Sequence, residues 1–212
     1  PTINQLLVST AAQSGQAVES LRPRQPAAID INLGCPAPEV RKQGGGCALF
    51  GDTDRLADIL TRTRAAWERP LTVKCRLGDN QPQWREALRE RIAVFERCGV
   101  DAITVHPRFH DEKLKRRARW EELDWIAQET TLPLIGNGDI LTTEMLASLR
   151  QAHPALAGFM IGRIAVAQPW FFAAATGATP HDDMAEIWQT MCAFVLEDFP
   201  AVRRLGRLKE FT

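Results

Sequence analysis

Residues 29–36 read IDINLGCP and are the most informative segment of the chain for its architecture. Its first half is an apolar run of strand-forming residues, and its second half turns at Gly34 and Pro36. Cys35 therefore lies where a buried strand opens into a loop. A thiol held there by rigid scaffold suits a reacting group, whereas free cysteine elsewhere is often only a small buried hydrophobe. Both interpretations of Cys35 stay open at this point.

Five further apolar runs share the pattern of this strand, and stretches with helical spacing separate them. The runs are short and continuously apolar, so we expect a parallel sheet that is covered on both faces. The predicted strands are 4–8, 28–31, 71–73, 102–105, 132–135 and 158–161, and the clearest predicted helices are 54–67, 84–98 and 120–130.

Polar side chains follow each run, which separates a β/α barrel from an open doubly wound sheet. A barrel gathers all its strand carboxyl ends at one mouth, whereas an open sheet concentrates its site at one switch point. Chemistry at five consecutive strand ends predicts a TIM-type (β/α)8 barrel. The residues concerned are Asn32, Cys35, Lys74, Arg76, His106, Arg108, Asn137, Asp139 and Arg163.

Six strands fall short of the eight that such a barrel needs. We therefore expect a barrel that lacks roughly its first two βα units. Residues 1–178 are predicted to form this partial barrel, which is the catalytic domain. Residues 179–212 begin a C-terminal helical region, because an amphipathic helix follows Pro180 with no further strand.

Composition excludes several classes of protein. The 212 residues are 45% hydrophobic with zero net charge, and no apolar run approaches the ~20 residues of a membrane span. We expect a cytoplasmic protein with no membrane partner. Five widely spaced cysteines without a Cys-x-x-Cys pair argue against disulfides and structural zinc. Cys98, His106 and His110 have the ligand types for zinc but not one shared helix face, so no metal is predicted.

The charged residues are unevenly distributed, although they balance overall. Residues 113–119 contain five cations, and a second basic group lies near residue 205. A single basic run is often only a solvated surface, but two in a neutral chain favour a polyanionic partner. The first run comprises Lys113, Lys115, Arg116, Arg117 and Arg119, and the second comprises Arg203, Arg204, Arg207 and Lys209.

Two glycine-containing turns indicate a phosphate site. Residues 136–139 read GNGD, and Gly162 with Arg163 follows the next strand. The loops after the last two strands of a β/α barrel hold phosphate through backbone N–H groups and a cation. The alternative is two ordinary turns. Lys74 and His106 end neighbouring strands, where they would stabilise negative charge on an electron-rich ring or else pair with carboxylates.

Several motifs in order along the chain resemble those of the tRNA-dihydrouridine synthase family. The resemblance covers nearly the whole sequence, and the ending GRLK at 206–209 is similar to the branch that modifies position 16 of the D-loop. The motifs are QLL at 5–7, NLGCP at 32–36, GGGCAL at 44–49, VKCR at 73–76, TVHPR at 104–108, GNGDI at 136–140 and MIGR at 160–163.

The resemblance implies an FMN-binding barrel that takes hydride from NADPH and reduces the C5=C6 bond of a tRNA uridine. Cys35 is then the acid that protonates C5, while C6 receives hydride from the reduced flavin. The resemblance also implies three groups of contacts. Gln5, Lys74 and His106 border the flavin ring; Asn137, Gly138, Asp139, Gly162 and Arg163 hold its phosphate end; Asn32, Arg108, Lys113, Lys115, Arg116 and Arg117 lie near the ring, the base or the RNA.

The sequence departs from the family pattern at Pro107, where glycine is common, and at Cys47, where a small residue is usual. The first two strands are also absent. Two alternatives therefore stand beside a monomeric tRNA-dihydrouridine synthase. One is an FMN barrel that reduces a small pyrimidine-like molecule, and the other is a truncated, inactive RNA-binding remnant.

Overall fold

The computed structural model of this protein describes residues 2–112, 116–178 and 184–208. Its centre is a sheet of six parallel strands, each hydrogen-bonded to the next in chain order. The strands are β1 Ile3–Leu6, β2 Ala28–Asn32, β3 Leu71–Arg76, β4 Ala102–His106, β5 Leu134–Asn137 and β6 Gly158–Met160.

Helices connect the strands, and further helices follow the last strand. Two short 3₁₀ turns, Arg22–Arg24 and His110–Glu112, complete the regular structure of the described residues. The helices are α1 Ala11–Leu21, α2 Pro38–Lys42, α3 Cys47–Phe50, α4 Thr53–Ala66, α5 Trp84–Arg97, α6 Glu121–Gln128, α7 Thr143–Ala152, α8 Arg163–Ala167, α9 Phe171–Ala175, α10 Met184–Asp198 and α11 Ala201–Leu208.

The strand order settles the class of the sheet. Order β1 to β6 without a reversal has no switch point, which a doubly wound sheet requires. The fold is therefore α/β with a six-stranded parallel half-barrel sheet, as the distribution of polar strand ends predicts.

The two faces of the sheet differ in chemistry because side chains alternate along each strand. On β3, Leu71, Val73 and Cys75 are fully buried, while the intervening side chains are polar. The strands thus differ from the predicted continuously apolar pattern in one respect. One face carries the apolar core under the helices, and the other carries a row of polar groups. We call this second surface the polar face.

The chain divides into two compact units. The first unit contains all six strands and helices α1 to α6, and the second contains α7 to α11. The predicted boundary between a barrel domain and a helical region at residue 178 stays a prediction. In the part of the chain that the structure describes, no helix combines the length and the apolar character needed to cross a bilayer.

Candidate active site

The polar face brings side chains from four neighbouring strands together at their carboxyl ends. Asn32 of β2 is the register partner of Lys74 of β3, and Arg76 of β3 is the partner of His106 of β4. Asn137 ends β5 in the same way. The sequence prediction that these residues share one edge of the sheet is confirmed by the register.

Gln5 connects the first three strands through a hydrogen-bonded chain. Its Nε2 donates to Asp30 Oδ2 at 2.6 Å, and its Oε1 accepts from Asn32 Nδ2 at 2.7 Å. Thr72 Oγ1 donates to the other oxygen of Asp30 at 2.7 Å. The Gln5 side chain is therefore fixed in orientation, with its oxygen toward Asn32.

Asn32 also holds the turn that carries the thiol. Its Oδ1 accepts from the backbone N–H of Gly34 at 3.1 Å and of Cys35 at 2.9 Å, which is an Asx turn. Cys35 is half-buried. One carboxamide thus fixes both the position of Gln5 and the backbone that presents the Cys35 thiol.

The triple-glycine loop packs against the turn that carries Cys35. The N–H of Cys47 donates to the Cys35 carbonyl at 3.2 Å, and a Cβ at Gly46 would lie 2.5 Å from that carbonyl oxygen. Gly46 also has φ of +57°, so both its conformation and its surroundings favour glycine. A cavity of about 500 Å³ beside the loop is lined by Val8, Val40 and Gly45 among others. This cavity borders the glycine loop, and Cys35 is not among its lining residues.

Burial shapes the charge of the polar face. Desolvation raises the pKa of Asp30, and the hydrogen bonds from Thr72 and Gln5 oppose that rise. Desolvation lowers the pKa of Lys74, which the nearby Cys75 and Asp30 partly offset. Both shifts favour the neutral forms, so the polar face disfavours unpaired charge.

His106 is the most strongly shifted group of the site. Burial, followed by the cations of Arg76, Lys74 and Arg108, lowers the pKa of His106 to about 3, while Asp139 acts in the opposite direction. His106 is therefore a neutral imidazole at physiological pH. It can donate or accept hydrogen bonds there but does not act as a cation.

Arg108 is almost completely buried behind His106, with 2% of its side chain exposed. Its Nη2 donates to both carboxylate oxygens of Asp139 at 2.7 Å. Its Nη1 contacts His106 Nε2, and its Nε donates to the carbonyl of Arg116. Desolvation lowers the pKa of the neighbouring Arg76, whose Nη1 donates to the Phe109 carbonyl at 3.1 Å.

The glycine turn after β5 closes over the imidazole. Gly138 has φ of +128°, and a Cβ there would lie 2.9 Å from His106 Cδ2. Asn137 Nδ2 donates to the Met160 carbonyl at 2.8 Å. Asp139, with φ of +52°, accepts from the Ala118 N–H at 2.8 Å as well as from Arg108.

The second part of the predicted phosphate site belongs to the second compact unit. Gly162 immediately precedes α8, and Arg163 is the first residue of that five-residue helix. Their predicted role in holding phosphate stays a prediction.

The predicted basic RNA-binding run falls between β4 and α6 in the sequence. Arg116 and Arg117 are exposed, whereas Lys113 and Lys115 fall outside the described residues. Arg119, which belongs to the same basic run, forms a bidentate ion pair with Glu112. The described part of the run therefore offers two exposed cations to a partner.

Comparison with protein families matches residues 1–208 to the dihydrouridine synthases (Dus). The chain belongs to the dihydrouridine synthase family. The sequence resemblance, and with it membership of an oxidoreductase family, is confirmed.

Curated relatives carry the same family name. The chain is 37% identical over 144 residues to tRNA-dihydrouridine synthase B of Proteus vulgaris, covering 68% of this chain and 44% of the relative. The Klebsiella pneumoniae protein of the same name is 34% identical over 175 residues, covering 80% and 54%. A tRNA-dihydrouridine(47) synthase-like protein of Mus musculus is 37% identical over 146 residues, covering 68% and 22%. The chain thus spans about half, or less, of the length of the relatives it matches.

Solved structures share the fold at low sequence identity. Histamine dehydrogenase from Rhizobium sp. 4-9 superposes with a TM-score of 0.58 at 12% identity, covering 79% of this chain and 27% of that one. N-acetylneuraminate lyase from Mycoplasma synoviae gives 0.55 at 12%, covering 82% and 58%. These likenesses concern the arrangement of strands and helices in this dihydrouridine synthase family member.

Sequence reasoning missed two members of the polar face. Asp30 and Thr72 lie inside the predicted strands 28–31 and 71–73, which the sequence pattern describes as continuously apolar runs. The available signal was alternation: Asp30 precedes Asn32 by two residues, and Thr72 precedes Lys74 by two, so each pair shares a face. Among the described residues, no group of three or more histidine, cysteine or acidic side chains is arranged to hold a metal ion.

Proposed function

We propose that this member of the dihydrouridine synthase family serves the reduction of a uridine in tRNA to 5,6-dihydrouridine, with FMN as cofactor and NADPH as reductant. The observation that carries the proposal is the placement of Cys35, Lys74 and His106. The half-buried thiol lies in the turn after β2, and the cation and the imidazole lie on the polar face of the next two strands, β3 and β4. The names of the curated relatives support the same reaction.

The residues present fit a flavin ring. Lys74 Nζ and His106 Nδ1 make no hydrogen bond within the described part of the chain. They are donors on adjacent strands, and a flavin ring offers carbonyl and ring-nitrogen acceptors. The one carboxylate of this part of the polar face, Asp30, is satisfied by Gln5 and Thr72. We therefore assign Gln5, Lys74 and His106 to the ring.

The phosphate end of FMN is assigned to the loops after β5 and β6. Gly138 and Gly162 allow backbone N–H groups to approach an anion, and Arg163 supplies the cation. Asn137 and Asp139 orient the first of these loops through the Met160 carbonyl and the Arg108 guanidinium.

Cys35 is the proton donor in this proposal. When bound, a reduced flavin supplies hydride to C6 of the uracil ring. The Cys35 thiol delivers the proton to C5, and the Asx turn of Asn32 fixes the backbone from which the thiol reaches the base. Lys74 and His106 donate hydrogen bonds to oxygen or nitrogen atoms on which negative charge grows.

The segment between β4 and α6 that carries the basic run 113–119, which we call the basic loop, is assigned to the RNA outside the candidate active site. A uridine in folded tRNA must be turned out of its stack to reach the thiol, so contacts to phosphates and RNA shape have to hold the rest of the molecule. We assign this task to Lys113, Lys115, Arg116 and Arg117, together with the basic group near residue 205. Position 16 of the D-loop is the proposed target, and sequencing of the reduced tRNA tests it.

The half-barrel sheet is proposed to be strands three to eight of a TIM-type (β/α)8 barrel. Residues 1–178 then form the FMN-binding catalytic domain, and residues 179–212 begin the helical region that contacts tRNA. The proposal includes a cytoplasmic monomer that uses no metal.

Replacement of Cys35 with alanine tests the proton donor. We expect C35A to keep flavin reduction by NADPH and to slow dihydrouridine formation at least a hundredfold, since general acids typically contribute 10²- to 10⁴-fold. Stopped-flow absorbance follows the first step, and mass spectrometry of the tRNA follows the second.

Cys192, a half-buried thiol on α10, provides the matched control. C192A should leave both steps unchanged. Equal loss of both steps in C35A would show that the thiol serves binding rather than proton transfer. Faster reduction of free uridine than of tRNA would favour a small-molecule reductase.

A further inference from the structure

The geometry points to Arg108 as a positioning residue that fixes which nitrogen of His106 carries the proton. A guanidinium has donors only. Its contact with His106 Nε2 therefore makes that nitrogen the acceptor. In a neutral imidazole the hydrogen must then be on Nδ1, so His106 presents an N–H donor on the edge that makes no hydrogen bond in the described residues.

The remaining contacts of Arg108 hold its planar fork in place. Both oxygens of Asp139 accept from Nη2, and the Arg116 carbonyl accepts from Nε. Asp139 supplies the counter-charge that a buried cation requires. Because every nitrogen of the guanidinium has a partner and only 2% of the side chain is exposed, Arg108 acts through His106 rather than on the RNA.

Gly138 completes the arrangement from the neighbouring strand end. A Cβ at this position would lie 2.9 Å from His106 Cδ2 and 3.0 Å from Nε2. The absence of a side chain lets the imidazole approach the Arg108 fork. The groups around the ring are thus the cations of Lys74 and Arg76 on β3, Arg108 and Asp139 on the two loops, and the bare backbone of Gly138.

The consequence for the reaction rests on the proposed function. An Nδ1–H donor suits a carbonyl oxygen or ring nitrogen that gains negative charge, whereas an unprotonated Nδ1 would repel it. Arg108 would then raise the rate without touching cofactor or uridine. The protonation pattern of His106 itself does not depend on the proposed reaction.

Nitrogen NMR of the imidazole side chains in the full chain tests the inference. R108K keeps a cation near Asp139 but replaces the rigid planar fork, whose Nη1 and Nη2 serve His106 and Asp139 separately, with a shorter point charge that no longer fixes a donor on His106 Nε2. In the unmodified protein, His106 should show a protonated Nδ1 and an unprotonated Nε2. In R108K we expect both nitrogens to report a mixture of the two neutral forms.

The chain supplies its own controls. His153 Nδ1 lies 2.9 Å from Asp124 and should keep its spectrum in R108K. D139N changes the charge but leaves Arg108 able to donate, so it should keep the Nδ1–H pattern. R108M, which has no donor, should show the same loss as R108K and serves if lysine disturbs folding.

An unchanged His106 spectrum in a folded R108K or R108M protein would overturn the inference. Because this readout needs neither flavin nor tRNA, it fails or succeeds separately from the proposed function.

Discussion

At the scale of single residues, the neutrality of His106 is a property of its surroundings. Three cations and burial act on one ring, and each makes a further positive charge more costly. Protonation of the His106 imidazole is therefore disfavoured while Lys74, Arg76 and Arg108 lie near it. These surroundings exist only in the folded state, so the pKa of His106 differs between the folded and the unfolded chain.

This difference predicts how stability depends on pH. The folded pKa of His106 is about 3, against an ordinary value of 6.5. Below pH 6.5 the unfolded chain binds a proton that the folded imidazole does not bind, so the free energy of unfolding falls as pH drops toward 3. The fall is at most about 1.4 kcal/mol for each pH unit.

Glutamine removes this titration while keeping an acceptor for Arg108. Urea unfolding of H106Q between pH 7 and pH 4 should show a shallower loss of stability than the unmodified protein. His110, whose pKa burial also lowers, acts in the same direction in both proteins and cancels in the comparison. Identical slopes would contradict the shift at His106.

The sequence could predict Cys35, Lys74 and His106 because each follows an apolar run at a strand end. It could not predict the buried role of Arg108. Arginine is mostly exposed in proteins, and the partner Asp139 lies 31 residues away in the chain. Only the register of β4 beside β5 brings the two loops together.

At the scale of elements, strongly periodic helices were predictable and packing-dependent ones were not. The predicted helices 54–67 and 84–98 correspond to α4 and α5 within one residue at each end. Helix α1 escaped prediction because Gly15 and several small polar residues weaken its pattern. Gly15 is buried, and a Cβ there would lie 2.8 Å from Arg62 Nε. Close packing on α4 therefore accounts for α1 better than local propensity does.

The N-terminus of helix α4 is stabilised by a side-chain cap that can be tested by mutation. Asp52 is the N-cap and accepts from the Arg55 N–H at 3.1 Å. Removing this acceptor in D52A should lower the free energy of unfolding by about 1 kcal/mol. D58A, at an exposed position inside the same helix, removes a carboxylate without a cap and should change stability by less than ~0.5 kcal/mol. Equal effects in urea titrations would remove the capping argument.

At the scale of the whole molecule, the net charge is zero, but cations are concentrated in the basic loop that follows β4. The basic loop follows β4, whose carboxyl end carries His106, and its Arg116 carbonyl is bonded to Arg108. Exposed cations therefore lie next to the loop that supports the imidazole. A polyanion bound at Arg116 and Arg117 would be held close to the polar face.

Charge neutralisation measures that contribution. R116Q with R117Q should weaken tRNA binding and reduce the slope of log affinity against log salt by about 2, one for each lost phosphate contact. Arg24 and Arg69 are exposed and precede β2 and β3, at the opposite edge of the sheet. R24Q with R69Q makes the same change in net charge and should leave the slope unaltered. Equal slopes in both pairs would exclude the basic loop as the RNA contact.

The alternation of side chains along β3 makes folding and chemistry depend on the same strand, because one face supplies the core and the other the polar face. Leu71, Val73 and Cys75 fill the core, and Thr72, Lys74 and Arg76 line the polar face. Deleting one residue within β3 would reverse the facing of the residues on one side of the deletion, turning polar side chains toward the helices and aliphatic ones toward the polar face. Such a deletion would therefore damage both the stability of the fold and the candidate site. A change of length in a neighbouring loop would leave the alternation of side chains along β3 unchanged.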